Sequence, residues 1–413
     1  MKSRTFAALF LVLWLIQPAF SITYEEMNTI FGIPIWADDN LWDDNADVVA
    51  ARLDWPKEPT TVVDPCYRKF PKAAEQVIEC RPYSMALHAS NGQPARIFMM
   101  FANKIDRENP VIAPGDAKAA SNYNKLANFY KAAIREDADH IARTLTAFLG
   151  KPVSVELGQG DLQKTLRWTW NDHALVLSAP PDDFVALQIL PIHDANALGK
   201  PRPPDSSRRN LLFSRIGKRP NGDVILTGLP KIRYPNPACR IPATWESVMR
   251  YIGIPADSHL LAMALVEKQA SPASGDAIPP KFREAARQGG YQVDTESGKA
   301  SARTVKKYID SGIPVVWTTP SMASIQSEVN SRMNDRALMN NPVEWKKYLA
   351  LARSTAKKPI FSPVSNSVTV IIGYNEETGE IAISDPCDLT TDVRWITQEE
   401  AFALSQNRLL IIQ

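Results

Sequence analysis

The sequence predicts an α+β protein in two parts, and three observations predict it. Helical and strand-like stretches are interspersed without a repeated βαβ rhythm, a Pro- and Arg-rich stretch divides the chain near its middle, and 413 residues exceed one ordinary domain. The divisions read as 1–21, a signal peptide; 22–200, an N-terminal α+β domain; 201–222, a linker; and 223–413, a second α+β domain combining a helix start with an antiparallel sheet. At 45% apolar and 22% charged residues, with 32 prolines and 18 glycines, the chain is neither collagen-like, nor a coiled coil, nor largely disordered.

The first segment has a basic start at Lys2 and Arg4, a short apolar run from Ala7 to Ile16, and a small-x-small cleavage site at Ala19 to Ser21. Its apolar core is shorter than the roughly 20 residues that span a bilayer. The expectation is an exported bacterial protein, periplasmic or secreted, without stable membrane insertion. Cleavage removes both bases and no acid, leaving 45 residues of each sign. A net charge of zero supplies no attraction for a polyanion, so no nucleic-acid partner is implied.

The next stretch is rich in Trp and Asp, from Trp36 through Asp38, Asp39, Trp42, Asp43, Asp44 and Asp47. It lacks the Gly and terminal Glu of a calcium loop, and helix capping with a solvated acidic turn explains it better. Ile97 to Phe101 has the length and apolarity of a buried strand. Helical spacing links Leu126, Phe129, Tyr130, Ala133, Ile134, Ile141, Leu145, Phe148 and Leu149, and Gly150 and Pro152 end that helix. Thr165 to Trp170, Ala174 to Leu177 and Phe184 to Ile192 read as antiparallel strands separated by turn residues. His88, His140, His173 and His193 are scattered without metal-ligand spacing, so each reads as a surface or hydrogen-bonded residue, and no metal or cofactor is implied. Gly158 and Gly160 are too few for a phosphate loop.

After the linker, Asp223 to Leu229 resumes strand character. A Pro-rich loop then delivers Cys239 to the start of a helix whose apolar positions Trp245, Val248, Met249 and Ile252 recur at helical spacing and which Gly253 terminates. A helix N-terminus lowers a thiol pKa, which suits a nucleophile. The segment resembles the papain-like cysteine peptidases of the bacteriocin-leader-processing type, in which a Gln precedes Cys-x-Pro-Ala and the helix ends Tyr-x-Gly. Tyr308 to Trp317 resembles the helix-Gly-x-Pro-strand that follows in that family. Val368 to Asn375 with Gly379 to Pro386 resembles its catalytic hairpin, and Trp395 to Ala401 its closing helix.

The resemblance implies four site positions, and the sequence departs at three. Counting back from Pro242 puts Arg240 at the nucleophile and Tyr234 at the oxyanion-binding Gln, counting back from Gly373 puts Ser367 at the general base, and Asp385 alone is retained. A serine hydroxyl cannot exchange protons near neutral pH as an imidazole does. The expected function is a catalytically inactive pseudopeptidase that binds a peptide or an envelope protein. The alternative is an active cysteine peptidase or amidase using Cys239, which needs a one-residue bulge at the helix start and the approach of His259. A purely structural envelope protein, or an unrelated α+β domain, also accommodates the motifs. Export permits disulfides among Cys66, Cys80, Cys239 and Cys387; proximity favours Cys66 with Cys80, and free buried thiols remain open. The resemblance would place Cys387 beside the helix start, where a bridge to Cys239 would close the former cleft.

Overall fold

In a computed structural model, residues 22–59, 64–104, 117–157, 163–197, 206–234, 240–253, 256–258, 292–320, 323–339, 341–355, 366–389, 391, 393–405 and 408–412 are described. Mixed α+β architecture is present, with ten helices and two antiparallel sheets among these residues. The N-terminal elements are α1 (Tyr24–Phe31), α2 (Ala46–Leu53), β1 (Cys66–Lys69), β2 (Ser84–Ser90), β3 (Gln93–Asn103), α3 (Ala117–Leu149), β4 (Val153–Leu157), β5 (Gln163–Trp170), β6 (His173–Ser178), β7 (Phe184–Pro191) and α4 (Ile192–Ala197). There follow α5 (Ser206–Ser214), β8 (Ile216–Lys218), β9 (Asp223–Leu226), α6 (Arg240–Tyr251), β10 (Val293–Ser297), α7 (Ala302–Ile309), β11 (Val315–Pro320), α8 (Ala323–Leu338), α9 (Pro342–Thr355), β12 (Asn366–Asn375), β13 (Glu380–Ser384), β14 (Arg394–Ile396), α10 (Gln398–Leu404) and β15 (Arg408–Ile412).

The first sheet runs β1-β2-β3-β7-β6-β5-β4. Side chains alternate along a strand, and here the two faces differ in kind. Met85, Leu87, Ile97, Met99, Leu175, Leu187 and Ile189 join α1, α2 and the second half of α3 in an apolar core. The opposite face carries Arg68, Ser84, His88 and Arg96 beside a small apolar patch at Phe98 and Met100. Only the later turns of α3 contribute fully buried residues, Ile134, Ile141 and Leu145. Phe129 and Leu126, which share the helical spacing read from the sequence, are 65% and 36% exposed.

The Trp-rich opening is structural. Asn45 caps α2, and Asp47 instead receives the Tyr67 hydroxyl at 2.7 Å and Lys57 Nζ at 3.1 Å. Trp36, Trp42, Trp170 and Tyr24 surround the His173 ring, with centroids 5.6, 5.4, 5.3 and 6.5 Å away. His173 is wholly buried, contrary to the expectation of a surface or hydrogen-bonded residue, and neither ring nitrogen makes a hydrogen bond. Burial pushes its imidazole down to about 4, although Asp172 Oδ1 lies 3.1 Å from Nε2.

The second sheet runs β10-β15-β11-β12-β13-β14, with β9 joining β12 and β8. Strand β12 pairs with β11 up to Ile371 and, past an irregularity at Ile371/Gly373, with β9 from Gly373 onward. Gly373 is required there: a Cβ would lie 2.5 Å from the Val224 carbonyl oxygen. Gly312, at φ +76°, would likewise meet the Leu212 carbonyl at 2.6 Å, which seats α5 against the turn before β11. The stretch 201–222 is therefore only partly a linker, since α5 and β8 lie in it and β8 is already part of the second sheet. Trp395 belongs to β14, and the closing helix starts after the capping box of Thr397 and Glu400. No helix among the described residues is long and apolar enough to cross a membrane.

Two outcomes follow. Gly373→Ala should lose about 2 kcal/mol of stability through overpacking, read as a lower urea midpoint at unchanged slope. His173 stays neutral in the fold while the unfolded imidazole takes up a proton near pH 6.5, so its contribution is complete above that pH and is lost as pH falls toward 4. Urea titrations at pH 7 and pH 4.5 should show a drop that His173→Phe reduces.

Candidate functional site

Helix α6 starts where the sequence places a nucleophile, and every residue from Pro242 to Tyr251 is buried. One face follows the predicted spacing: Trp245, Val248, Met249 and Ile252 pack into the core of the second sheet. The other face carries Glu246 and Arg250, one turn apart, and meets the polar face of the first sheet.

Arg68 of β1, fully buried, donates from three nitrogens to three carboxylates: Nε to Glu58 Oε1 at 2.8 Å, Nη2 to Glu246 Oε1 at 2.6 Å and Nη1 to Asp257 Oδ2 at 2.8 Å. Arg250 Nη1 adds Glu58 Oε2 at 2.9 Å and Glu246 Oε1 at 3.4 Å, and the Ser258 amide donates to Glu246 Oε2 at 2.7 Å. Burial raises the Glu58 carboxyl, but Arg68 and Arg250, on separate oxygens, outweigh it and hold it below the usual range. Glu246 ends above its usual range, because burial is joined by Asp257 and Glu58 while both guanidinium contacts crowd one oxygen. Burial and the nearby Arg96 push the His88 imidazole well down, so it stays neutral 4.0 Å from Asp257. Cys66 shares this chamber; burial, then Glu58, pushes its thiol well above the usual range, making it a poor nucleophile.

At the other end of the site, Arg240 Nη2 lies 2.5 Å from Asp385 Oδ2, and the Cys387 amide donates to Asp385 Oδ1 at 3.0 Å. Both oxygens of the Asp385 carboxylate are thus engaged. Lys231 Nζ fixes the same corner through the carbonyls of Asp385 at 3.1 Å and Thr391 at 2.9 Å. The Cys387 thiol donates to the Arg240 carbonyl at 3.4 Å and is pushed up to about 12 by burial and then by Asp385. Tyr234 packs against Phe98 and Met100 of the first sheet and lies within electrostatic reach of Arg240. Ser367 pairs across the sheet with Thr319, three residues before Val370, the partner of Ser384, and so occupies the same sheet end as Asp385.

Of the predicted site residues, the structure brings together Tyr234, Arg240, Asp385 and Cys387, with Ser367 on the neighbouring strand. Cys239 and His259 lie outside the described residues, as do Gly158 and Gly160. The favoured Cys66 to Cys80 bridge is absent: Cys66 faces Glu58 and Arg68, whereas Cys80 bonds to Asp137. Cys387 is also unbridged. No group of three potential metal ligands converges among the described residues. Sequence reading missed the Arg68 cluster, because a charged pair one turn apart on a helix reads as a solvated face; its only signal was the absence of apolar residues at those two positions.

No protein-family model matches the chain, and no curated protein is significantly similar to it.

Removing the Arg68 guanidinium would take a charged donor from each of three buried carboxylates, with Arg250 still on Glu58 and Glu246. Arg68→Met should therefore cost about 3 to 5 kcal/mol, with partial recovery when Glu246→Gln and Asp257→Asn are added, both measured by urea unfolding.

Proposed function

We propose that the protein is an exported, catalytically silent relative of the papain-like peptidases of the bacteriocin-leader-processing type, acting as a peptide- or protein-binding module. The observation that carries this reading is the Arg240 to Asp385 ion pair at the point where a nucleophile and an orienting carboxylate would face each other. In a thiol peptidase the carboxylate holds an imidazole that takes the thiol proton and returns it to the leaving amine. Here one oxygen of Asp385 holds a guanidinium and the other a backbone amide, so the charge that would orient an imidazole is instead paired with Arg240. The base position is a serine and the nucleophile position an arginine that cannot lose its proton.

The element order supports the same descent: a buried helix after a Pro-rich loop, then helix, Gly-Ile-Pro strand, hairpin with Asp-Pro at its end, and a closing helix and strand. Burial of α6 against a second sheet supports a change of purpose, since the charged face of that helix now joins two layers. The basic start and short apolar run of 1–21 support export.

The test incubates the mature chain with peptide substrates and a thiol-directed peptidyl epoxide. No turnover and no epoxide adduct are expected. Turnover that disappears in Cys239→Ala would overturn the reading in favour of a working cysteine peptidase or amidase.

A further inference from the structure

At the far end of the β12–β13 hairpin from Asp385, the β8–β9 turn, the end of α8 and β14 line a half-open cavity of about 550 Å³. Its floor is rigid. Arg336 lies 4.0 Å over the Trp395 ring and is bound through both Nη atoms by Asp223, at 2.9 and 2.6 Å, while Asn375 and Asn221 complete the same carboxylate at 2.8 and 3.0 Å. Glu380 stands 3.4 Å behind Arg336, tied to the Trp345 indole. With two carboxylates, Asp223 and Glu380, against its one charge, Arg336 offers an incoming anion no free cation in the floor, although its buried Nε has no hydrogen-bond partner.

The walls are apolar, formed by Met333, Met339, Val393 and Ile225. Methionines adapt to irregular apolar groups. At the mouth stands Arg219, exposed, with its guanidinium bonded to no side chain among the described residues while its backbone fixes the turn through Asp223 and Gly222. Apolar walls with one unneutralised guanidinium at the rim are complementary to an apolar group that carries a single carboxylate.

We infer that this cavity captures the C-terminus of a peptide, its last apolar side chain among the methionines and its terminal carboxylate on Arg219. The inference rests on the reading of the protein as a peptide-binding module and places binding away from the Arg240 corner. A terminal carboxylate next to an apolar side chain supplies both features in one residue, and the volume suits one or two residues.

The experiment is fluorescence anisotropy of the full mature chain with an N-terminally labelled pentapeptide ending in leucine, as the free acid and as the amide. The acid should saturate and bind about tenfold more tightly than the amide, the size of a charge-assisted hydrogen bond at a partly exposed site. Arg219→Gln, an exposed substitution whose folding is verified by circular dichroism, should bring acid and amide to the same affinity. Ala337→Trp, on the cavity wall, should weaken both. Equal affinity of acid and amide for the unmodified protein, a preference that survives Arg219→Gln, or no saturation at millimolar peptide would overturn the inference. Decanoate, the other source of an apolar carboxylate, should bind more weakly than the peptide acid; tighter binding would overturn the assignment to peptide. Failure here leaves catalytic silence intact, since turnover reports that separately.

Discussion

A guanidinium removed from water must find anions, and three carboxylates brought together must find cations; Arg68 meets both requirements at the junction of the two sheets. The residues it joins come from a loop before β1, from the middle of α6 and from the segment just after that helix. Such a cluster contributes less to net stability than its contacts suggest, because desolvating the charges offsets most of the attraction. Its consequence is geometric. With one side of α6 committed to an apolar core and the other to Arg68, the helix cannot rotate or slide without stranding a charge.

That constraint explains the state of the Arg240 corner. A peptidase helix presents its first turn to an open cleft, whereas here Tyr234, just before α6, packs on the first sheet and Arg240 turns to Asp385. Lys231 bonds the carbonyls that follow β13, its own amide bonds Pro59, and the Ile232 amide bonds Pro386. The chain entering α6 is thus stitched to both layers. An arginine at the helix start puts a cation there whose partner is the Asp385 carboxylate.

Much of the C-terminal fold was legible. The apolar spacing of α6 reflects local geometry that a sequence records directly, while the β12–β13 hairpin and the Gly-Ile-Pro entry to β11 were expected from the resemblance and are present as strands. The long helix was legible in extent but not in depth, since Phe129 keeps helical spacing and is nonetheless exposed. The helix and strand hidden in the 201–222 stretch escaped because prolines and arginines dominate the composition there, while the turn at Asn221 and Gly222 pairs β8 with β9. The site was half legible. Asp385, Arg240 and Tyr234 were singled out by the resemblance and lie near one another, but the burial of Glu246 and Arg250 depends on Arg68 in β1 and Glu58 in the loop before it, almost two hundred positions away. Charge on a helix face carries no sign of whether water or an opposite charge will meet it. The same holds for His173, whose aromatic cage assembles from α1, the Trp-rich loop and β5.

The most direct test of the account is native-state hydrogen exchange along α6. If the Arg68 cluster locks the helix between two layers, the α6 amides should exchange only through the same cooperative opening that exposes β1 and β12, with one common free energy. Exchange of α6 through a separate low-energy opening, while β1 and β12 stay protected, would contradict it.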